Sequence, residues 1–394
     1  MDYKFPIIET IDDVLPHIEG KEEFRVFNKD WYIVVNYMVA FEDTFPSVKV
    51  SGGSAKMREA REREHAILRE CRGLIFNSDG ELISRPYHKF FNIGEKQEVL
   101  TKRVNLYEPH VVLEKLDGSM IRPIPTKEGF RLATKAGITD VAMNAEVFIS
   151  DKKNYKTFIE KCIQEGTTPL FEWCSRKNRI VVDYPEDQLI LTGIRYLDTG
   201  AYVNYKVMTE YANAWDIPIV KAIDGLAIQN IELFVEQIRE WEGSEGVVLR
   251  FDNGHMCKVK SSDYVFRHRS KDAINHEKNV IEVILNDSVD DIVPLLTEDD
   301  AHRLHAFQTA FWMAVEDVGS DIYDAYSSIK NVEDQKKFAT VAVPTVPKHY
   351  QPFMFKLRNG HKVKDLIVDK ICKSISSQTK VNENRWLWGN LKWN

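Results

Sequence analysis

From about residue 70 to 260 the chain carries short apolar runs closed by turn residues. Gly73–Phe76 precedes Asn77-Ser-Asp-Gly80, and Val247–Phe251 precedes Asp252-Asn-Gly254. Val111–Leu113 and Leu189–Ile194 are runs of the same kind. Such runs ending in Asp-Gly or Asn-Gly predict strands joined by hairpins. Residues 141–165 read as helix. Ser51-Gly-Gly-Ser54 reads as flexible, and the mixed-charge stretch Lys56–Glu70 predicts an exposed helix or ordered insert.

After about residue 262 the pattern changes. Thr297 with Asp300 resembles a helix-starting box, and Leu304, Phe307, Phe311, Val315 and Val318 recur at helical spacing. Ile281, Ile284 and Leu285, then Leu366, Ile367 and Ile371, continue the helical period. The pattern contains no internal repeat. It predicts an α+β protein with a strand-rich part over residues 1–261 and a helical part over 262–394.

Composition narrows the class. The chain has 394 residues, 43% hydrophobic and 29% charged, which suits a globular protein of two or three domains. No apolar run approaches the roughly 20 residues of a membrane span. The acidic start, MDYKFPIIETIDD, lacks the features of a signal peptide, so the expectation is a cytoplasmic protein. Cys71, Cys162, Cys174, Cys257 and Cys372 are scattered, odd in number and never in a C-x-x-C pair, which disfavours a disulfide framework or a zinc finger.

The formal charge is −7, too acidic for coating nucleic acid through bulk charge. The charge is segregated, however. Residues 345–394 hold ten Lys/Arg and three acids, together with Trp386, Trp388 and Trp393. Basic groups interleaved with aromatics suit phosphate contacts and base stacking, although a solvated helix face with its tryptophans packed inward gives the same pattern.

The candidate chemistry centres on Val111-Val-Leu-Glu-Lys-Leu-Asp-Gly-Ser119. An apolar strand delivers Lys115 to a tight turn with Asp117, and Gly118 lets the backbone approach a ligand. A lysine amine attacks phosphorus only when neutral, which requires neighbouring positive charge or desolvation. A surface hairpin bearing a solvated lysine shares this signature. Lys258-Val-Lys260 would project two ammonium groups from one strand face, suited to a phosphate or to an edge strand in water. Glu172, amid Leu170-Phe-Glu-Trp-Cys174, and Glu245, at the head of Glu245-Gly-Val-Val-Leu249, are acids in apolar surroundings that need a partner, a hydroxyl or a cation. Arg72 and Lys89 lie beside strand sequence further upstream.

In this order the pieces resemble the covalent nucleotidyltransferase superfamily of ATP-dependent ligases and mRNA capping enzymes. Lys115–Gly118, Glu172, Glu245–Gly246 and Lys258–Lys260 are similar to its successive motifs. The closest resemblance is to the RNA ligase 1 family of T4-like bacteriophages, through Glu70-Cys-Arg-Gly73, Ser84-Arg-Pro with Lys89-Phe-Phe-Asn92, Lys115-x-Asp-Gly-Ser119, Asn178-Arg-Ile-Val181 and Lys258-x-Lys-Ser with Tyr264. It covers residues 70–291 well and is thin elsewhere. An Arg-x-Asp-Lys motif of the DNA ligase and capping branches is absent, and the sequence after 262 reads helical rather than as their β-barrel.

The resemblance implies an adenylyltransferase (ATP-grasp-like ligase) domain over 1–261 and a helical domain over 262–394 concerned with tRNA or RNA. It implies an ATP-dependent RNA ligase, phage-encoded and working in the host cytoplasm as a monomer. Its substrates would be 5′-phosphate and 3′-hydroxyl RNA ends, such as breaks in tRNA anticodon loops. Lys115 would carry AMP, with Mg²⁺ or Mn²⁺ assisting. Lys258 and Lys260 would hold the α-phosphate and lower the pKa of Lys115. Arg72 and Lys89 would clamp the phosphates, Glu172 the ribose, and Glu245 a metal through water. Asp117 would orient the sealing step, Gly118 would admit the nucleotide, and Tyr264 would wall the pocket. Lys135 matches a family lysine. Asp290 and Asp291, with Glu172 and Glu245, would serve as metal ligands. A DNA ligase, a capping guanylyltransferase and a non-catalytic RNA-binding relative are the alternatives.

Overall fold

The computed structural model describes residues 3–226 and 229–393. The chain divides into two compact units, Met1–Val265 and Phe266–Asn394. The first is built on strands β1 (Phe24–Asn28), β2 (Tyr32–Tyr37), β3 (Arg72–Asn77), β4 (Leu82–Ser84), β5 (Phe91–Asn92), β6 (His110–Glu114), β7 (Ser119–Thr126), β8 (Gly129–Ala133), β9 (Thr167–Cys174), β10 (Gln188–Tyr196), β11 (Gly246–Phe251) and β12 (Met256–Lys260). They form three four-stranded sheets, ordered β1-β2-β3-β4, β5-β12-β11-β6 and β10-β9-β7-β8. Every pairing is antiparallel except β12 with β5. With the helices of the second unit this is the α+β architecture expected from the sequence.

The apolar runs seen in the sequence all lie in strands: 73–76 in β3, 111–113 in β6, 189–194 in β10 and 247–251 in β11. Both predicted hairpins form. Gly80 (φ 85°) and Gly254 (φ 86°) occupy the left-handed conformation that closes β3–β4 and β11–β12. β7 changes partners along its length. Ser119–Ile121 pair with β9, whereas Arg122–Thr126 pair only with β8. Pro123 and Pro125 lack the N–H groups that continued pairing on the β9 edge would use.

The stretch read as one helix over 141–165 is two, Asp140–Ile149 and Lys153–Gln164. Ser150 breaks it, its hydroxyl donating to Val147 O at 2.7 Å. In the second of these helices Tyr155, Phe158, Ile159 and Cys162 repeat at helical spacing and are buried in the cluster that contains Phe171 and Trp173 of β9. The Lys56–Glu70 stretch is a helix, Ala55–Glu70, capped by Ser54, whose hydroxyl accepts from Met57 N. It is exposed only in its early turns, since Ala66–Glu70 are buried.

The second unit is helical among its described residues. The predicted helix start at Thr297 is present, with Thr297 Oγ1 accepting from Asp300 N at 3.2 Å. Leu304, Phe307, Phe311 and Val315 face the core of this unit. The tail tryptophans are packed into it rather than displayed. Trp388 is fully buried, Trp393 donates its indole N–H to Ile274 O at 2.6 Å, and the Trp386 ring meets His349 and Phe353. Inward packing is therefore what the tail pattern recorded, complete for Trp388 and partial for Trp386 and Trp393.

Candidate active site

Lys115 sits where the second and third sheets meet. β6 ends at Glu114, and the turn 115–118 leads into β7. The Lys115 N–H donates to Gly246 O at 2.9 Å, so the end of β11 fixes where the lysine leaves the backbone. Gly118 packs directly on β9, where a Cβ would collide with Trp173 O. Gly246 (φ 135°) is required for a similar reason, since a Cβ there would run into Val259 O of β12.

Strand register then gathers the charged groups. Gly246 pairs with Lys260, Val248 with Lys258, and Val247 with Glu114. The side chains of Lys258 and Lys260 share a face, as alternation requires. Glu245, only 4% exposed, accepts from Lys115 Nζ at 2.8 Å on one oxygen and from Lys260 Nζ at 3.0 Å on the other. Burial opposes its ionisation, but the two ammonium groups outweigh it and hold the carboxyl below its usual range. The Lys115 side chain keeps 21% of its surface exposed and can be reached by a ligand.

Lys258 is the amine under the greatest strain. Burial pushes it down to about 7, and Lys115, Lys89, Lys260 and Arg72 add to the effect. Those contributions place the five cations in one cluster. Glu172, on β9 opposite Met120 of β7, is pushed up to about 7 by burial, with Lys115 opposing and Glu245 adding. Lys115 itself rests on the Glu245 carboxylate, beside the depressed amine of Lys258.

Asp117 is held on every side. Its Oδ1 accepts from the Tyr264 hydroxyl at 2.7 Å, and its Oδ2 accepts from Val181 N and Val182 N, each at 2.7 Å. Its own N–H donates to the Tyr184 hydroxyl at 2.9 Å. The Lys260 ammonium lies 4.8 Å from the centre of the Tyr264 ring. Tyr264 thus braces both Asp117 and Lys260. Asn178 donates to Ser119 Oγ at 3.0 Å, which brings the 178–181 segment against the start of β7.

Arg72, Lys89 and Lys135 surround Tyr37, a residue that sequence reasoning missed. The Lys89 and Lys135 ammonium groups lie 5.5 and 4.9 Å from its ring centre. Burial would raise the phenol, yet Arg72, Lys89 and Lys135 together pull it below its usual value. As one more strand tyrosine in Tyr32-Ile-Val-Val-Asn-Tyr37, it carried no signal of its own. Also missed was a buried ion network, Glu70 with Arg85 and Arg195.

Asp290 and Asp291 are exposed on a short helix, Val289–Ile292, of the second unit. Among the described residues no three His, Cys, Asp or Glu side chains converge on one point. Glu172 and Glu245 are the carboxylates here that would hold a hydrated divalent cation, whose chemistry would be neutralisation of phosphate charge.

A dense set of ammonium and guanidinium groups around two carboxylates, opening on a reachable lysine, suits a polyphosphate and an attacking amine. Residues 70–274 match the family described as RNA ligase, and residues 271–386 match the one described as T4 RNA ligase 1, C-terminal domain. The chain belongs to this RNA ligase family of the T4 RNA ligase 1 type. Among its relatives, a protein named putative RNA ligase from Thermovibrio ammonificans is 28% identical over 73% of this chain and 72% of its own length. RNA ligase 1 of bacteriophage TS2126 is 25% identical over 58% of each chain. A putative bifunctional polynucleotide kinase/RNA ligase of Autographa californica nuclear polyhedrosis virus is 24% identical over 60% of this chain but only 36% of its own. Among solved structures, an archaeal ATP-dependent RNA ligase covers 66% of this chain and 64% of its own at 15% identity and a TM-score of 0.44.

Proposed function

We propose that this chain is an ATP-dependent RNA ligase that works through a covalent AMP on Lys115. The observation that carries the reading is the shared carboxylate. Glu245 holds Lys115 at 2.8 Å and Lys260 at 3.0 Å, so the nucleophile and a phosphate-binding amine are presented side by side.

In the first step Lys115 Nζ, having given up a proton, attacks the α-phosphorus of ATP. An N–P bond forms, the bond to the bridging oxygen breaks, and pyrophosphate leaves. Lys258 and Lys260 hold the α-phosphate, while Arg72, Lys89, Lys135 and Tyr37 face the departing phosphates. Glu172 takes the ribose hydroxyls. In the second step an oxygen of an RNA 5′-phosphate attacks the AMP phosphorus and Lys115 departs as the amine. In the third, a 3′-hydroxyl attacks the 5′-phosphate, AMP leaves, and a phosphodiester is made. A Mg²⁺ or Mn²⁺ ion would supply neutralisation of phosphate charge. Asp117, fixed by four contacts, orients the turn through all three steps. Breaks in tRNA anticodon loops are the proposed RNA, and the helical unit is proposed to recognise it.

The test is incubation with Mg²⁺ and α-labelled ATP or GTP, followed by a denaturing gel. Label from ATP, removed by added pyrophosphate and missing from Lys115→Ala, is the expected result. Label from GTP alone would point to a capping enzyme, and a labelled alanine variant would refute the nucleophile.

A further inference from the structure

Glu70 lies at the end of a helix, two residues before Arg72, and is 1% exposed. Its carboxylate accepts from Arg85 Nε at 3.2 Å and from Arg195 Nη2 at 2.6 Å, and both arginines are completely buried. Each arginine spends its remaining donors on backbone carbonyls. Arg195 donates to Gly200 O at 2.8 Å and to Pro86 O, and Arg85 to Leu197 O at 2.9 Å and Pro6 O at 2.8 Å. Gly200 (φ 70°) makes this possible, because a Cβ there would overlap the Arg85 guanidinium. The next residues are tied by the same device. His88 N donates to the Tyr202 hydroxyl at 3.1 Å, whose ring lies 4.9 Å from the Arg195 guanidinium, and Lys89 N donates to Arg69 O at 2.8 Å.

Stability alone does not account for this arrangement. A buried ion triad is commonly no better than well-packed apolar side chains of the same volume, because desolvating three charges offsets their attraction. What the triad does supply is geometry. It joins the segment that carries Arg72 to the segment 85–89 that carries Lys89, two cations that approach the phosphate cluster from separate parts of the chain. We propose that Glu70, Arg85 and Arg195 are positioning residues for the pyrophosphate side of the adenylylation step, acting through Arg72 and Lys89.

This rests on the ligase reading and extends it. Only the first step releases free pyrophosphate, so the proposal demands a split between steps. Arg195→Lys keeps the charge but cannot reach Glu70, Gly200 and Pro86 together. It is expected to raise the KM for ATP and slow adenylylation on the order of 10–100-fold, the cost of an ångström-scale displacement in such a site. Sealing of an RNA supplied already adenylylated, which bypasses ATP, should stay within about twofold of wild type, since the β,γ-pyrophosphate leaving group of ATP is then absent. Tyr202→Phe, which removes the hydroxyl bonded to both His88 N and His88 Nδ1, should show the same split more weakly. It serves as the second variant if Arg195→Lys does not fold. Adding Arg195→Lys to an Arg72→Ala/Lys89→Ala double variant should cost little beyond that double variant alone. Equal losses in adenylylation and in sealing, or additive losses with the Arg72→Ala/Lys89→Ala double variant, would overturn the assignment. A wild-type protein that neither labels with ATP nor seals adenylylated RNA would instead sink the ligase reading itself.

Discussion

Lys258 offers the sharpest test of the site's electrostatics. In the free protein its amine is pushed down to about 7 by burial and then by Lys115, Lys89, Lys260 and Arg72. At pH 8 roughly 0.9 of it is therefore neutral. A triphosphate among these cations reverses the balance, since it offsets each repulsion and gives the ammonium a partner. Binding ATP at pH 8 should thus draw about 0.9 proton from the buffer into Lys258, and at pH 6, where the amine is already charged, only about 0.1. The measurement is calorimetric titration in two buffers of different ionisation enthalpy, using α,β-methylene-ATP so that no transfer follows. Glu172, raised to about 7, can also take up a proton. It does so in Lys258→Met as well, so the difference between the two proteins isolates Lys258. Identical proton uptake by wild type and Lys258→Met at pH 8 would show that the amine was not neutral and that the cluster does not act as described.

The same substitution bears on stability. The Lys258 value lies below the ordinary 10.5, so the unfolded chain binds more protons between about 7 and 10.5, and wild-type stability climbs with pH across that window. Lys258→Met should therefore raise Tm most at pH 6, with an advantage that shrinks toward pH 10, while slowing adenylylation. Differential scanning calorimetry at several pH values checks it. Tyr264→Phe leaves Asp117 Oδ1 without its donor and should cost about 1–3 kcal/mol in urea unfolding. Gly246→Ala drives a methyl group into the β12 backbone at a position with φ 135° and should abolish ATP labelling, even where circular dichroism shows a folded protein.

The motif residues were legible because their chemistry is local. A lysine in a tight turn, two lysines at alternate strand positions and acids inside apolar runs each announce an unusual need in the few residues around them. The elements were legible for the same reason. Alternation, Asp-Gly turns and a helical repeat mark β3, β11 and the long helix that begins after Thr297. The errors came where neighbours distant in the chain decide. The helix Ala55–Glu70 looked exposed because its charges are mixed, yet its last turn is covered and Glu70 meets Arg195 from β10. The tail tryptophans fitted either base stacking or inward packing, and only the helical core that takes them up separates the two.

Sequence alone singled out the candidate residues, the order in which they occur, and the change from strand-rich to helical chain near residue 262. Each of these depends on interactions within a few positions. Tertiary structure decided who holds whom. Only the pairing of β11 with both β6 and β12 puts one carboxylate between Lys115 and Lys260. Only burial beside four other cations depresses the Lys258 amine. Tyr37 and Glu70 gained their places from contacts that no local pattern encodes, because the electrostatic field at a buried point is set by distance in space and not by separation along the chain.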